Sequence, residues 1–207
     1  MPCASLGHAG FSSASCSDAE ASKYHMEWIG PQHHERTGLQ NFVADAFLKM
    51  YGAEVRHFCN VMVGCRDEQG KWIAALGFSL ASDGETFLEQ YLDMPLESAI
   101  ASHAGTSVNR RQIVEVGNLA AVHVGAAREL IACMTHYLHQ QGLIWVAFTA
   151  TRSLLNSFTR LRLEPRVLAA ADPGRLSDAG KSWGTYYANN PQVMFGDIRS
   201  GYAQLVK

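Results

Sequence analysis

The sequence predicts a single mixed α/β domain with a parallel crossover in its second half, and two patterns carry that prediction. From residue 113 onward, apolar strand-like runs alternate with amphipathic helical runs, giving two successive crossovers: strand 113–122, helix 125–141, strand 143–150, helix 152–163 and a further strand. Such alternation implies parallel strands joined by right-handed crossovers, with functional groups at the carboxyl ends of the strands. Earlier, β-branched and aromatic runs at 59–65 and 72–81 flank a short polar turn and read as a hairpin. A chain of 207 residues, 47% apolar and 17% charged, is long enough to bury a core around one central sheet.

Each element has its local reason. Residues 1–23 are rich in Ala, Ser, Gly and Cys without apolar periodicity and read as a flexible tail, so the domain spans 24–207. In 37–51, Leu39, Phe42, Val43, Ala46, Phe47 and Met50 recur at helical spacing, and Gly52 ends the helix. Arg66, Asp67, Glu68, Gln69 and Gly70 supply the hairpin turn. The run 87–92 reads as a further strand, and 96–103, introduced by Pro95, as a short helix. In 125–141, Ala127, Leu130, Ile131, Met134 and Leu138 form one apolar stripe, closed by Gly142. The nearly continuous apolar run 143–150 fits a strand buried on both faces. Leu154, Leu155, Phe158 and Leu161 face inward from the next helix.

Composition narrows the function. Lys+Arg 17 against Asp+Glu 19 leaves a formal charge of −2, which gives no global case for nucleic acid or an anionic membrane. The five cysteines, Cys3, Cys16, Cys59, Cys65 and Cys133, are odd in number and lack CxxC pairing, so free thiols in a reducing compartment are expected. The first residues lack the basic start and apolar core of a signal peptide, and no apolar run approaches the roughly 20 residues of a spanning helix. A cytoplasmic protein with no integral membrane segment is the expectation. His33-His34-Glu35 is not a zinc-binding helix, and Cys133, His136 and His139 drift around a helix, so no metal is assigned. There is no GxSxG elbow. Cys59 and Cys65 sit in an apolar run and read as buried and inert.

Four stretches carry a resemblance: 87–93 (Phe-Leu-Glu-Gln-Tyr-Leu-Asp), 115–120 (Glu-Val-Gly-Asn-Leu-Ala), 145–151 (Trp-Val-Ala-Phe-Thr-Ala-Thr) and 183–187 (Trp-Gly-Thr-Tyr-Tyr). With them the chain resembles the thermostable hemolysin family, which is similar to acyl-homoserine-lactone synthases and the wider N-acetyltransferase superfamily. The resemblance implies a GNAT-like fold: a central mixed, V-splayed sheet flanked by helices. It also implies transfer of an acyl group, fatty in character, from a thioester to a small amine or an amino-acid-derived acceptor. In the synthases an acid on the fourth strand lies beside the reacting amine and an arginine follows it; Glu115 takes the acidic position here, but Asn118 stands where the arginine would be. S-adenosylmethionine is therefore not carried over as acceptor. In the acetyltransferases a Gln/Arg-x-x-Gly-x-Gly/Ala loop holds the coenzyme A pyrophosphate at a helix N-terminus. The corresponding residues 122–127 keep Gly125 and Ala127 but begin with Val122. That change favours an acyl carrier protein over coenzyme A as donor; both remain co-substrates, with no permanently bound cofactor. The superfamily's asparagine is matched by Asn156, but Phe158 and Leu161 offer no hydroxyl for its tyrosine acid.

These residues permit an aminolysis. Glu115, with its pKa raised by burial, would take the ammonium proton. Backbone N–H groups of Leu119, Ala120 and Ala121, freed by a bulge, would stabilise the oxyanion, and Asn118 would orient a reactant. Gly125, Ala126 and Ala127 open a helix whose N–H groups suit the donor's anionic end. Tyr186 or Tyr187 would serve as acid. Trp72, Tyr91, Thr149, Trp183 and Tyr187 are candidates for an acceptor or acyl pocket, with Glu89 or Asp93 facing a cationic acceptor; core packing or solvent is the plainer reading for most. Glu115 paired to Arg110 or Arg111, and Asn118 as a bulge residue satisfying backbone groups, are the corresponding structural readings. Arg152, Arg160, Arg162 and Arg166 form either a carrier-protein contact or a solvated basic face. A membrane-active hemolysin and a non-catalytic acyl-binding module are the alternatives to an enzyme; a pore former would need amphipathic hairpins or a long apolar helix, and neither is evident.

Overall fold

The computed structural model describes residues 25–207, so the tail expected at 1–23 lies outside them. Its strands are β1 His25–Ile29, β2 Val61–Arg66, β3 Trp72–Leu80, β4 Ile113–Ala121, β5 Trp145–Ala150, β6 Arg166–Ala170 and β7 Gln192–Asp197. Its α-helices are α1 Arg36–Tyr51, α2 Leu96–Ala104, α3 Val124–Gln140, α4 Arg152–Arg160 and α5 Ile198–Leu205. The strands form one sheet in the order β1-β2-β3-β4-β5-β7-β6, in which β4 and β5 are parallel and every other neighbouring pair is antiparallel.

The hairpin turn forms as expected: Asp67 N–H donates to the Lys71 carbonyl at 3.0 Å, and Gly70 takes a φ of 77° that glycine adopts without strain. The second crossover differs from expectation. β6 runs in the same direction as β5, but β7 inserts between them, so the sheet has one adjacent parallel pair rather than a continuing parallel series. The expected strand at 87–92 is instead a short 3₁₀ helix, Phe87–Tyr91. Its sequence carries a helix-start signal three residues apart: the Glu89 carboxylate accepts from Thr86 N–H at 2.8 Å and from the Thr86 hydroxyl at 3.1 Å.

Strand periodicity divides the core. On β4, Ile113 packs with Leu96 and Ile100 of α2, while its neighbour Val114 packs with Leu130, Met134 and Leu138 of α3. Leu39 and Val43 bring α1 to the α2 face over Ala75 and Ala120, and Phe148 meets Leu154 and Phe158 of α4 on the α3 face. Each fully buried Leu or Met of α3 contributes roughly 1.5–3 kcal/mol.

Two irregularities in β4 open the sheet. Ala75 pairs with Ala120 while Gly77 pairs with Gly117, so β4 carries one extra residue, and Asn118 in that bulge has a φ of 54°. A side chain at Gly77 would lie 2.7 Å from Cys59 Cβ and 3.0 Å from Asn118 Oδ1, which explains glycine opposite the bulge. The parallel ladder joins only Ile113–Val116 to Trp145–Phe148. Beyond it, β4 pairs only with β3, and Thr149 and Ala150 of β5 pair only with β7. The sheet therefore forks after Val116, leaving one edge of β4 without a strand partner.

Candidate active site

A cavity of about 910 Å³ occupies the fork and reaches both faces of the sheet. On the α1 face it is lined by Phe47, Tyr51, His57, Phe87, Tyr91, Glu115, Trp183 and Tyr186; on the α3 face by Val116, Ile131, Met134, Val146, Phe148, Leu154 and Phe158. The first half is aromatic around the Glu115 carboxylate, and the second is apolar and aliphatic apart from Phe148 and Phe158.

Glu115 is 5% exposed and sits one residue before the parallel ladder ends. Its Oε2 accepts from Phe87 N–H at 2.9 Å and its Oε1 from Leu88 N–H at 3.0 Å. Those N–H groups are free because they open the 3₁₀ helix. Burial pushes the carboxyl up to about 7 against these two hydrogen bonds, and the neighbouring Glu89 charge adds to the rise. Pairing with Arg110 does not occur, because that guanidinium holds Glu89 at 2.6 and 2.8 Å and Glu97 at 2.7 Å.

Asn118 lines the cavity with both halves of its amide engaged: Oδ1 accepts from Cys59 N–H at 2.9 Å and Nδ2 donates to the His57 carbonyl at 3.0 Å. It thus ties the segment before β2 to the bulge. That tie delivers His57, which sequence reasoning missed. Its ring stacks on Phe87 with centroids 5.1 Å apart, and burial holds its pKa below the ordinary value. The Cys59 thiol beside it is pushed up to about 12 by burial, with the Glu115 charge adding to the rise. Among the described residues Cys59, Cys65 and Cys133 are free cysteines.

The aromatic wall comes from the segment before β7. Tyr186 is buried against Tyr51, Trp183 and Tyr187, with centroids 5.2, 5.3 and 5.3 Å away, and burial raises its hydroxyl pKa above the ordinary range. Tyr91 and Tyr187 join hydroxyls at 2.6 Å; Tyr91 lines the cavity and Tyr187 stands behind it, outside the lining. The segment is pinned to the end of α1, where Thr185 N–H donates to the Tyr51 carbonyl at 2.8 Å. Gly184, at a φ of 52°, allows this approach because a side chain there would collide with that carbonyl.

Leu119, Ala120, Ala121, Ala127 and Thr149 also line the cavity. Several other expected site residues do not. Gly125 and Ala126 lie outside the lining, and the Ala126 N–H is taken by His123 Nδ1 at 3.1 Å. Asn156 belongs to a separate groove of about 280 Å³ with Arg128 and Arg160. Trp72 lies under the Arg66 guanidinium, 3.4 Å from its ring centre, and packs with the α1 cluster. Asp93 is an exposed partner of Arg175 at 2.7 Å. Glu89 is not aimed at an acceptor: burial alone would raise its pKa, but Arg110 and the N–H groups of Leu96 and Thr86 hold it at about 2.

A forked mixed sheet with a bulged strand, a helix following it and a cavity through the fork defines the GNAT-like fold class. Solved structures agree. TofI, in a ternary complex with an inhibitor and MTA, superposes with a TM-score of 0.61 at 12% identity over 89% of this chain and 97% of its own. BjaI, a CoA-dependent acyl-homoserine lactone synthase bound to SAM and isopentyl-CoA, gives 0.58 at 15% identity over 88% and 87%. FeeM, an N-acyl amino acid synthase from uncultured soil microbes, gives 0.53 at 11% over 87% and 95%. At these identities the likeness is one of fold. The chain itself belongs to the thermostable hemolysin family, whose model matches residues 29–202. No curated protein matches it in sequence. Among the described residues no helix is long and apolar enough to cross a membrane, and no group of three or more His, Cys, Asp or Glu is placed to hold a metal ion.

Proposed function

We propose that the protein is an N-acyltransferase that moves an acyl group, fatty in character, from a carrier-protein or coenzyme A thioester to a small amine. The observation that carries this reading is Glu115 at the fork, buried with a pKa near 7 and lining a cavity that is aromatic on its own side and mainly aliphatic on the other. The acyl chain lies along Ile131, Met134, Val146 and Phe148, and the acceptor enters on the Glu115 side. A cavity of this size suits such ligands.

Each carboxylate oxygen of Glu115 keeps a lone pair after accepting one N–H bond, so the group can take the acceptor's ammonium proton. The freed amine attacks the thioester carbonyl. The oxyanion is met by N–H groups on the unpaired edge of β4 within Leu119–Ala121. Collapse forms the amide and breaks the carbon–sulfur bond. The leaving thiolate receives the proton shed by the nitrogen, relayed through the Tyr186 hydroxyl in one concerted step, and Glu115 releases its proton to solvent. Transfer is direct, because a Cys59 thiol pushed up to about 12 is not a nucleophile at neutral pH. Occupation of the Ala126 N–H by His123 supports a carrier protein over coenzyme A as donor.

Mass spectrometry on the protein mixed with acyl carrier proteins, acyl-coenzyme A donors and small amines tests the proposal. The expected result is a new amide that disappears with Glu115→Gln. Neither amide nor released thiol from any donor overturns it.

A further inference from the structure

Resting on that acyl-transfer reading, we infer that the acceptor is a primary amine with an aromatic body and no free carboxylate, so that α-amino acids are excluded. The acceptor half of the cavity presents His57, Phe87, Tyr91, Glu115, Trp183 and Tyr186. Aromatic faces and a carboxylate attract an ammonium group, by cation–π and by charge. An α-amino acid would bring its own carboxylate two bonds from the nitrogen and therefore beside Glu115.

Among the described residues, no arginine or lysine of the cavity lining stands beside Glu115 to receive it. The cavity's arginines are Arg162 and Arg166. Glu115 pairs with Ala147, Ala147 with Phe195 and Phe195 with Arg166, which puts Arg166 on the same sheet face but three strands away, about 14 Å. Its guanidinium lies over the Phe195 ring, 5.4 Å from the centroid. Arg162 follows α4, on the opposite face. Arg36, beside Cys59, donates to the carbonyls of Ile29, Asn60 and Cys59 at 3.3, 2.8 and 2.7 Å. Arg110 is held by Glu89 and Glu97. Burial lowers the His57 pKa and so disfavours its charged form. A carboxylate here would be desolvated, unpaired and repelled by Glu115.

Three probes of one skeleton test this: phenethylamine, phenylalanine methyl ester and phenylalanine, compared as acceptors with one acyl donor and by calorimetric binding without donor. Phenethylamine and the ester are expected to exceed phenylalanine by at least about 100-fold in kcat/KM and in affinity. Glu115→Gln should narrow the affinity gap, because the repelling charge is gone. Equal or better use of phenylalanine overturns the inference and leaves acyl transfer standing. If no probe yields amide, the proposed transfer fails, and the calorimetric order alone decides the acceptor class: tighter binding of phenethylamine and the ester supports it, and equal or absent binding refutes it.

Discussion

Replacing Glu115 with Gln keeps the shape of the side chain and removes its titration, so stability as a function of pH isolates the effect of burial. The wild-type carboxyl stands at about 7 when folded against 4.5 ordinarily. Between those values the folded state holds a proton that the unfolded state has lost. Stability is therefore full below the unfolded pKa, falls as pH rises, and levels off above the folded pKa, at a total cost of about 3 kcal/mol. About 2.5 kcal/mol of that falls between pH 5 and pH 8. Gln escapes this slope but turns an amide N–H toward one of the two donors from Phe87 and Leu88, a roughly constant loss of about 1–3 kcal/mol. Urea unfolding of both proteins at pH 5, 6, 7 and 8 should show Gln clearly weaker at pH 5 and drawing level by pH 8. A difference that stays flat across this range refutes the argument that burial sets the carboxyl near neutrality. The same group predicts a rise in kcat/KM with a midpoint near pH 7 and a loss of about 10²–10⁴-fold in Glu115→Gln. If the midpoint survives in the variant, Glu115 is not the base.

Other substitutions probe the parts that hold the site. Asn118→Ala loses the bonds to Cys59 and His57 and puts a Cβ-bearing residue without a local partner at a φ of 54°, so unfolding should show a loss of about 2–4 kcal/mol. Asn118→Gly, free of the backbone strain, should lose less. Gly77→Ala crowds Cys59 and should cost about 1–3 kcal/mol by the same assay. Ile131→Trp fills the aliphatic half of the cavity and should shorten the longest acyl chain accepted, read by donor-length profiling, with the acceptor preference unchanged.

The local rules in the sequence were enough for most elements and not for their order. The stripe of α3 and the apolar run of β5 follow from periodicity, because each buries a face whose spacing is written in neighbouring residues. The insertion of β7 between β5 and β6 depends on pairing between distant segments, and β6 is a short edge strand with exposed Arg166 and Val167. The 87–92 run misled because its aromatic and aliphatic residues outweighed a capping signal that ends in a charged group. For the site, Glu115 was legible as a lone acid within an apolar strand, and Asn118 as a residue suited to a bulge. His57 was not legible: it is a single histidine in a polar loop, and its place depends on an amide 61 residues away.

The fork, the bulge and the 3₁₀ turn act on one carboxylate. Side chains of β4 alternate between faces, so Glu115 points to the aromatic side while Val116 lines the aliphatic side. A fork placed earlier would remove β5 from beside Glu115 and admit water, returning its pKa toward 4.5. A fork placed later would close the gap that joins the two halves of the cavity. The bulge has a separate effect: it turns Ala120 back toward α1, where it packs with Leu39 and Val43 instead of continuing the alternation away from them. The 3₁₀ turn supplies two N–H groups without a positive side chain, which leaves Glu115 hydrogen-bonded and still near neutrality. An arginine in their place would hold it low, as Arg110 holds Glu89, and make it too weak a base for the proposed transfer.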